Sequence, residues 1–126
     1  MVDILNTTKQ DPLSPRSFFG LAKDEILGKN YELSLAFIGD TRSRSLNKKW
    51  RKKNYIPNVL SFPLGDDMGE VFINLRKAKS EAKDFEMTPK VFIKYLYIHA
   101  LLHLKGLDHG TKMDKLEEKY LKKFTA

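Results

Sequence analysis

The order of apolar and polar positions divides the chain into short segments of two periods. VDILN (2–6) and YELSLAFIG (31–39) are apolar-rich and partly alternating, which predicts two strands. Between them Phe18, Phe19, Leu21, Ala22, Ile26 and Leu27 recur at helical spacing. Ser14 and Pro15 mark the start of that helix, serine as cap and proline at the first helical position, and Gly28 ends it. Asp40 or Thr41 caps a second helix that runs to about Trp50, with Leu46 and Trp50 spaced to face inward. NVLSF reads as a strand, GDDMG as a turn and EVFINL as another strand, either a hairpin or two neighbours. RKAKSEAKDFE follows as a polar helix. Thr88 and Pro89 repeat the cap-then-proline signal before an apolar helix over 91–104, which Gly106 closes. The tail TKMDKLEEKYLKKF is amphipathic, with Met113, Leu116, Tyr120, Leu121 and Phe124 near one stripe. About five helices interleaved with roughly four strands predict an α/β or α+β domain built on a small mixed sheet. Phe62 and Phe72 are assigned to its core rather than to base stacking.

Composition narrows the class. A chain of 126 residues, 41% apolar and 31% charged, suits one globular domain over 1–126. The absence of cysteine excludes disulfides, thiolate metal sites and cysteine nucleophiles, and fits a reducing compartment. MVDILNTTKQD has no basic stretch followed by an apolar one, so no secretory leader is expected. The apolar run over 91–104 is broken by Lys94 and two histidines and is too short to span a bilayer. No membrane association and a cytoplasmic location are therefore expected. The net charge of +7 is concentrated. Arg42, Arg44, Lys48, Lys49, Arg51, Lys52 and Lys53 fall within TRSRSLNKKWRKK (41–53), with no acid among them, and the rest of the chain is balanced. A single-sign stretch of this kind attracts polyanions, nucleic acid first among them.

All three histidines of the chain lie in HALLHLKGLDH (99–109). His99 and His103 are four apart on the apolar helix and project from one face. Gly106 lets the chain turn back, bringing His109 toward them. Imidazole nitrogens so spaced are good ligands for zinc and similar divalent ions. Three protein ligands leave a position for water or substrate, as catalytic sites do. Asp108 is assigned an outer-sphere or proton-handling role, its alternative being the start of a turn. The spacing also fits the zincin pattern H-E-x-x-H-x-x-G-x-x-H, except that Ala100 stands where those peptidases carry their glutamate base. The metal cage survives that exchange and peptide hydrolysis does not.

The same window resembles the signature of the YbeY endoribonucleases, H-G-x-L-H-L-x-G-Y-D-H. A second block agrees: Arg51 precedes Asn58-Val59-Leu60-Ser61-Phe62-Pro63, and Gly69-Glu70-Val71 follows. The departures are Ala100 for glycine, Leu107 for tyrosine and Pro57 for threonine, none of them a metal ligand. The resemblance implies one zinc per chain, or another divalent ion, on His99, His103 and His109, with Arg51 as the functional arginine. A guanidinium also suits a phosphate on its own chemistry, since it pairs bidentately and offsets charge developing there. The expectation is a metal-dependent endoribonuclease for single-stranded RNA, acting in ribosomal RNA maturation beside the small ribosomal subunit. Arg42, Arg44, Lys48, Lys49, Lys52 and Lys53 would hold the RNA backbone. The rival readings are a metal-stabilised RNA-binding or ribosome-assembly factor with little catalysis, and a zinc hydrolase of another substrate.

Overall fold

Apolar positions at period two build the sheet, and its order explains where the helices sit. The computed structural model describes residues 2–125. Strands β1 (Val2–Asn6), β2 (Glu32–Ile38), β3 (Val59–Gly65) and β4 (Met68–Asn74) lie in the order β1-β2-β4-β3. β1 and β4 both run parallel to β2, whereas β3 and β4 form an antiparallel hairpin. The parallel pairs need long crossovers, which helices α1 (Arg16–Leu27) and α2 (Asp40–Arg51) help to supply. The chain then continues as α3 (Leu75–Glu81), a 3₁₀ turn (Ala82–Phe85), α4 (Pro89–Leu104) and α5 (Thr111–Thr125). This is the mixed α/β architecture expected from the pattern, with four strands and five α-helices among the described residues. Residues 1 and 126 of the expected 1–126 unit lie outside the described residues.

The core lies on one face of the sheet. Leu33, Leu35 and Phe37 of β2 and Val71 and Ile73 of β4 meet Phe18, Phe19 and Ile26 of α1 and the apolar positions of α4. Helix α4 is apolar on nearly every side, as a central helix must be, and buries Phe92, Ile93, Leu96, Tyr97, Ile98, Leu101 and Leu102. Tyr97 is fully buried, yet its hydroxyl donates to the Phe19 carbonyl (2.7 Å) and its ring meets that of Phe19 edge-on. Burying such a ring contributes roughly 1.5–3 kcal/mol, provided the hydroxyl keeps a partner. Lys23 is also fully buried, and its ammonium donates to the carbonyls of Gly28, Lys29 and Tyr31 where α1 turns into β2.

Three local expectations are corrected. Helix α1 begins at Arg16 with Pro15 in the cap position, and the buried Ser14 hydroxyl has no hydrogen-bond partner. The inward residues of α2 are Ser43 and Asn47, whereas Leu46 is half-buried and Trp50 is 61% exposed. Polar groups can face inward there because each finds a partner: the Ser43 hydroxyl bonds back to Gly39 O (2.8 Å) and the Asn47 amide donates to Tyr55 O (3.1 Å). Phe62 and Phe72 are half-exposed and lie outside the main core cluster, on the opposite face of the sheet. Register explains this, because Leu60 pairs with Phe72 and Phe62 with Glu70, out of step with the inward Val71 and Ile73.

Candidate metal centre

The second half of α4 positions the first two histidines, and the turn after it positions the third. Lys105 N, Gly106 N and Leu107 N donate to the carbonyls of Leu101, His103 and Leu102, closing the helix end. Gly106 takes φ 101°, a left-handed conformation that side chains resist. The return carries His109 back over the helix face. His103 and His109 have ring centroids 4.7 Å apart, and His99 and His109 5.2 Å. The ligand nitrogens of all three lie within 4.8 Å of one another.

Hydrogen bonding fixes which nitrogens face the cluster. His99 Nδ1 lies 2.7 Å from Oε2 of Glu117, and His103 Nδ1 lies 3.1 Å from the Leu107 carbonyl. A carboxylate and a carbonyl only accept, so both Nδ1 atoms carry the proton. In neutral rings both Nε2 atoms then present lone pairs, and they lie 3.1 Å apart. Two lone pairs at that distance are repulsive unless a cation lies between them. Two imidazoles on one tetrahedral zinc would hold their nitrogens about 3.3–3.4 Å apart. The donor set thus fits a divalent metal that accepts imidazole, with Glu117 and the Leu107 carbonyl setting ring orientation. Burial, and then the neighbouring His99 ring, pull His103 below the ordinary histidine value, which favours the neutral ligand form.

Glu117 is the residue that sequence reasoning missed. It sits on α5 and is 6% exposed. Burial pushes the phenol of the neighbouring Tyr95 up to about 12, with the Glu117 carboxylate acting in the same direction. The available signal was a carboxylate one turn beyond Met113, on the apolar stripe of an amphipathic helix.

A cleft of about 340 Å³ opens over the cluster, lined by Arg51, Ser61, Pro63, His99, His103 and His109 among others. Arg51, exposed at the last position of α2, also lines an adjoining cleft of about 390 Å³ with Tyr55, Asn58, Lys77, Glu81 and His99. Its guanidinium donates to Asn47 Oδ1 over 3.5 Å, a long bond. Ala100 lines the metal cleft with a methyl group where a zincin peptidase has its carboxylate. Leu107 contributes its backbone oxygen to His103, an interaction that does not depend on its side chain. Pro57 is buried at the mouth of β3. Asp108 is exposed, and the converging group is His99, His103 and His109 without it. The exposed residues Arg44, Lys48, Lys49, Lys52 and Lys53 lie on α2 or just beyond it, and Arg44 donates to Asn54 Oδ1 (3.2 Å). Arg42 instead lines cavities on the opposite face of the sheet.

A mixed sheet packed against a helix that offers two histidines one turn apart, with a third from the next turn, defines a zincin-like α/β domain whose three-histidine group could hold a metal ion. Comparison with known proteins makes that class specific. The family model described as Endoribonuclease YbeY matches residues 9–125. Endoribonuclease YbeY of Finegoldia magna is 36% identical over 99 residues, covering 73% of this chain and 65% of that one. The relative of the same name from Phytoplasma australiense is 37% identical over 109 residues, covering 75% of this chain and 76% of its own. A solution structure of a Thermotoga maritima protein superposes with TM-score 0.71 at 24% identity, covering 98% of this chain and 89% of its own, which shows the shared fold. The chain belongs to the endoribonuclease YbeY family. Its match spans just under two thirds of the Finegoldia relative's length.

Proposed function

We propose that this chain is a metal-dependent endoribonuclease acting on single-stranded RNA, and that its described residues work as one hydrolase domain. The observation that carries this reading is the shared cleft, in which Arg51 faces the same space as the three histidine nitrogens. His99, His103 and His109 hold one zinc ion, the imidazole-only donor set favouring zinc over magnesium or calcium. When bound, the ion supplies Lewis-acid chemistry to water and to the scissile phosphate. Arg51 grips that phosphate and offsets its growing negative charge. Glu117 holds the His99 ring in place. Ala100 contributes no base, so Asp108, exposed and one residue before a ligand, is the assigned proton carrier. Arg44, Lys48, Lys49, Lys52 and Lys53 draw the backbone toward α2, and Arg42 serves the far face. The relatives' shared name supports RNA as substrate. We assign the protein to cytoplasmic maturation of ribosomal RNA, at the small subunit. No helix among the described residues is long and apolar enough to cross a membrane.

The test is cleavage of a single-stranded RNA oligonucleotide by metal-loaded protein. His103→Ala should lose both stoichiometric metal and cleavage. Arg51→Ala should keep the metal and cleave about 100- to 1,000-fold more slowly. Equal cleavage by wild type and Arg51→Ala, prepared identically, would assign the activity to a contaminant and end this reading.

A further inference from the structure

The face of the sheet turned away from the core carries a groove that the metal chemistry leaves unused. Two adjoining cavities of about 300 and 320 Å³ share Arg42, Glu70 and Phe72. The second is walled by Leu46 and Trp50 of α2 and by Phe62 and Leu64 of β3. Phe62 and Phe72 meet edge-on at 6.0 Å. Trp50 is 61% exposed and Leu64 56%, so the rim presents apolar area to water that no segment among the described residues covers. A contiguous apolar patch of this kind marks a binding surface.

Its charge and position point to the occupant. Trp50 adjoins Arg51 in the sequence, and Lys49 Nζ lies 5.1 Å from the centre of the indole. Pro63, on the edge strand β3, lines both this groove and the metal cleft. A strand held by its phosphate at Arg51 therefore has one residue of β3 to cross before its next bases reach Trp50. Aromatic faces bordered by cations are how proteins hold unpaired nucleic acid. Glu70, the carboxylate shared by both cavities, repels phosphate and accepts from the exocyclic amine of a base. That polarity turns the bases inward and leaves the backbone along α2. We propose that the Trp50–Phe62 groove is a base-stacking subsite for unpaired nucleotides flanking the scissile phosphate. The inference rests on the ribonuclease reading above and extends it across the edge of the sheet.

Trp50 is the sole tryptophan of the chain, so its emission reports on this groove alone. Chelator-treated protein, used to suppress metal-dependent cleavage, is titrated with oligoadenylate of about eight nucleotides, a length within the range such subsites accept. Indole emission should quench saturably with the single strand and far less with its duplex with oligouridylate. Phe62→Ala should weaken binding roughly 5- to 150-fold, the worth of one stacked base. Trp50→Leu, at an exposed position that folding does not need, should weaken binding of a labelled oligoadenylate to the same degree by anisotropy. An unchanged indole signal, or both variants binding as tightly as wild type, overturns the subsite even if the metal-loaded protein cuts RNA. Quenching that follows protein concentration without RNA assigns the groove to a second copy and likewise overturns it. Quenching with the expected losses supports the subsite even if the metal-loaded protein cuts nothing.

Discussion

The three histidines are brought together by a local constraint: four residues on a helix, then a glycine turn. Glu117 reaches His99 from 18 residues away, through the packing of α5 on α4. Asp108, next to His109 in the sequence, is exposed and is not one of the converging ligand residues, as an outer-sphere role allows. The Glu117 carboxylate, 7% exposed in its side chain, holds the proton of His99 on Nδ1 and so aims Nε2 at the other two histidines. Its removal leaves a ring free to rotate and a donor without its partner. Glu117→Ala should therefore weaken metal binding about 10- to 100-fold, measured by competition with a chromophoric chelator. Glu117→Gln keeps an acceptor oxygen and should lose less. Equal affinities in all three proteins would reduce Glu117 to a packing residue.

Among the elements, β2 and β4 were legible because their burial largely alternates, and α4 because a long apolar run follows the Thr88-Pro89 start signal, while α2 was not. Leu46 and Trp50 carry an apolar period, yet Ser43 and Asn47 turn inward because each keeps a partner when buried, Ser43 in its own helical turn and Asn47 on the Tyr55 carbonyl. The same limit applied to Phe62 and Phe72, whose apolar character is blind to which face of the sheet they occupy. Close approach is a second property that period cannot show. Gly69 of β4 is buried, and a Cβ there would collide with the Tyr31 hydroxyl and press on Leu104. Gly69→Ala should destabilise the fold by about 1–3 kcal/mol through overpacking, read by thermal or urea unfolding. Asp40, at the start of α2, accepts from Asn74 (2.9 Å) and Arg76 (2.8 Å), tying α2 to the end of β4 and to α3. The Asn74 amide, and then Arg76, hold its carboxyl below the ordinary value. A depressed folded value means that this stabilisation is present above the unfolded value of about 3.9 and is lost as pH falls through the folded one. Asp40→Asn should lower the melting temperature at neutral pH and flatten its decline below about pH 4. An unchanged acid limb would show that the bonds from Asn74 and Arg76 carry no stability.

At the scale of the molecule, the sheet separates a metal cleft from an aromatic groove, and the basic helix α2 borders both. The net charge of +7 equals the seven cations within 41–53, a segment without acids that ends on and just beyond Arg51 at the cleft. Binding driven by that charge releases counterions, and its affinity must fall with salt. If about four to seven of these cations contact phosphate, log affinity for single-stranded RNA should fall against log salt with a slope of about −3 to −5. Raising monovalent salt from about 50 to 200 mM then weakens binding roughly 60- to 1,000-fold. Lys48→Gln should lower affinity for all sequences alike and reduce the slope by about 0.7, because a phosphate contact carries no base information. Phe62→Ala should lower affinity at every salt concentration and leave the slope intact, since stacking releases no counterions. The two slopes, measured by anisotropy on chelated protein, therefore separate the charge of α2 from the groove behind it. A slope near zero in the wild type would remove α2 from the RNA path altogether.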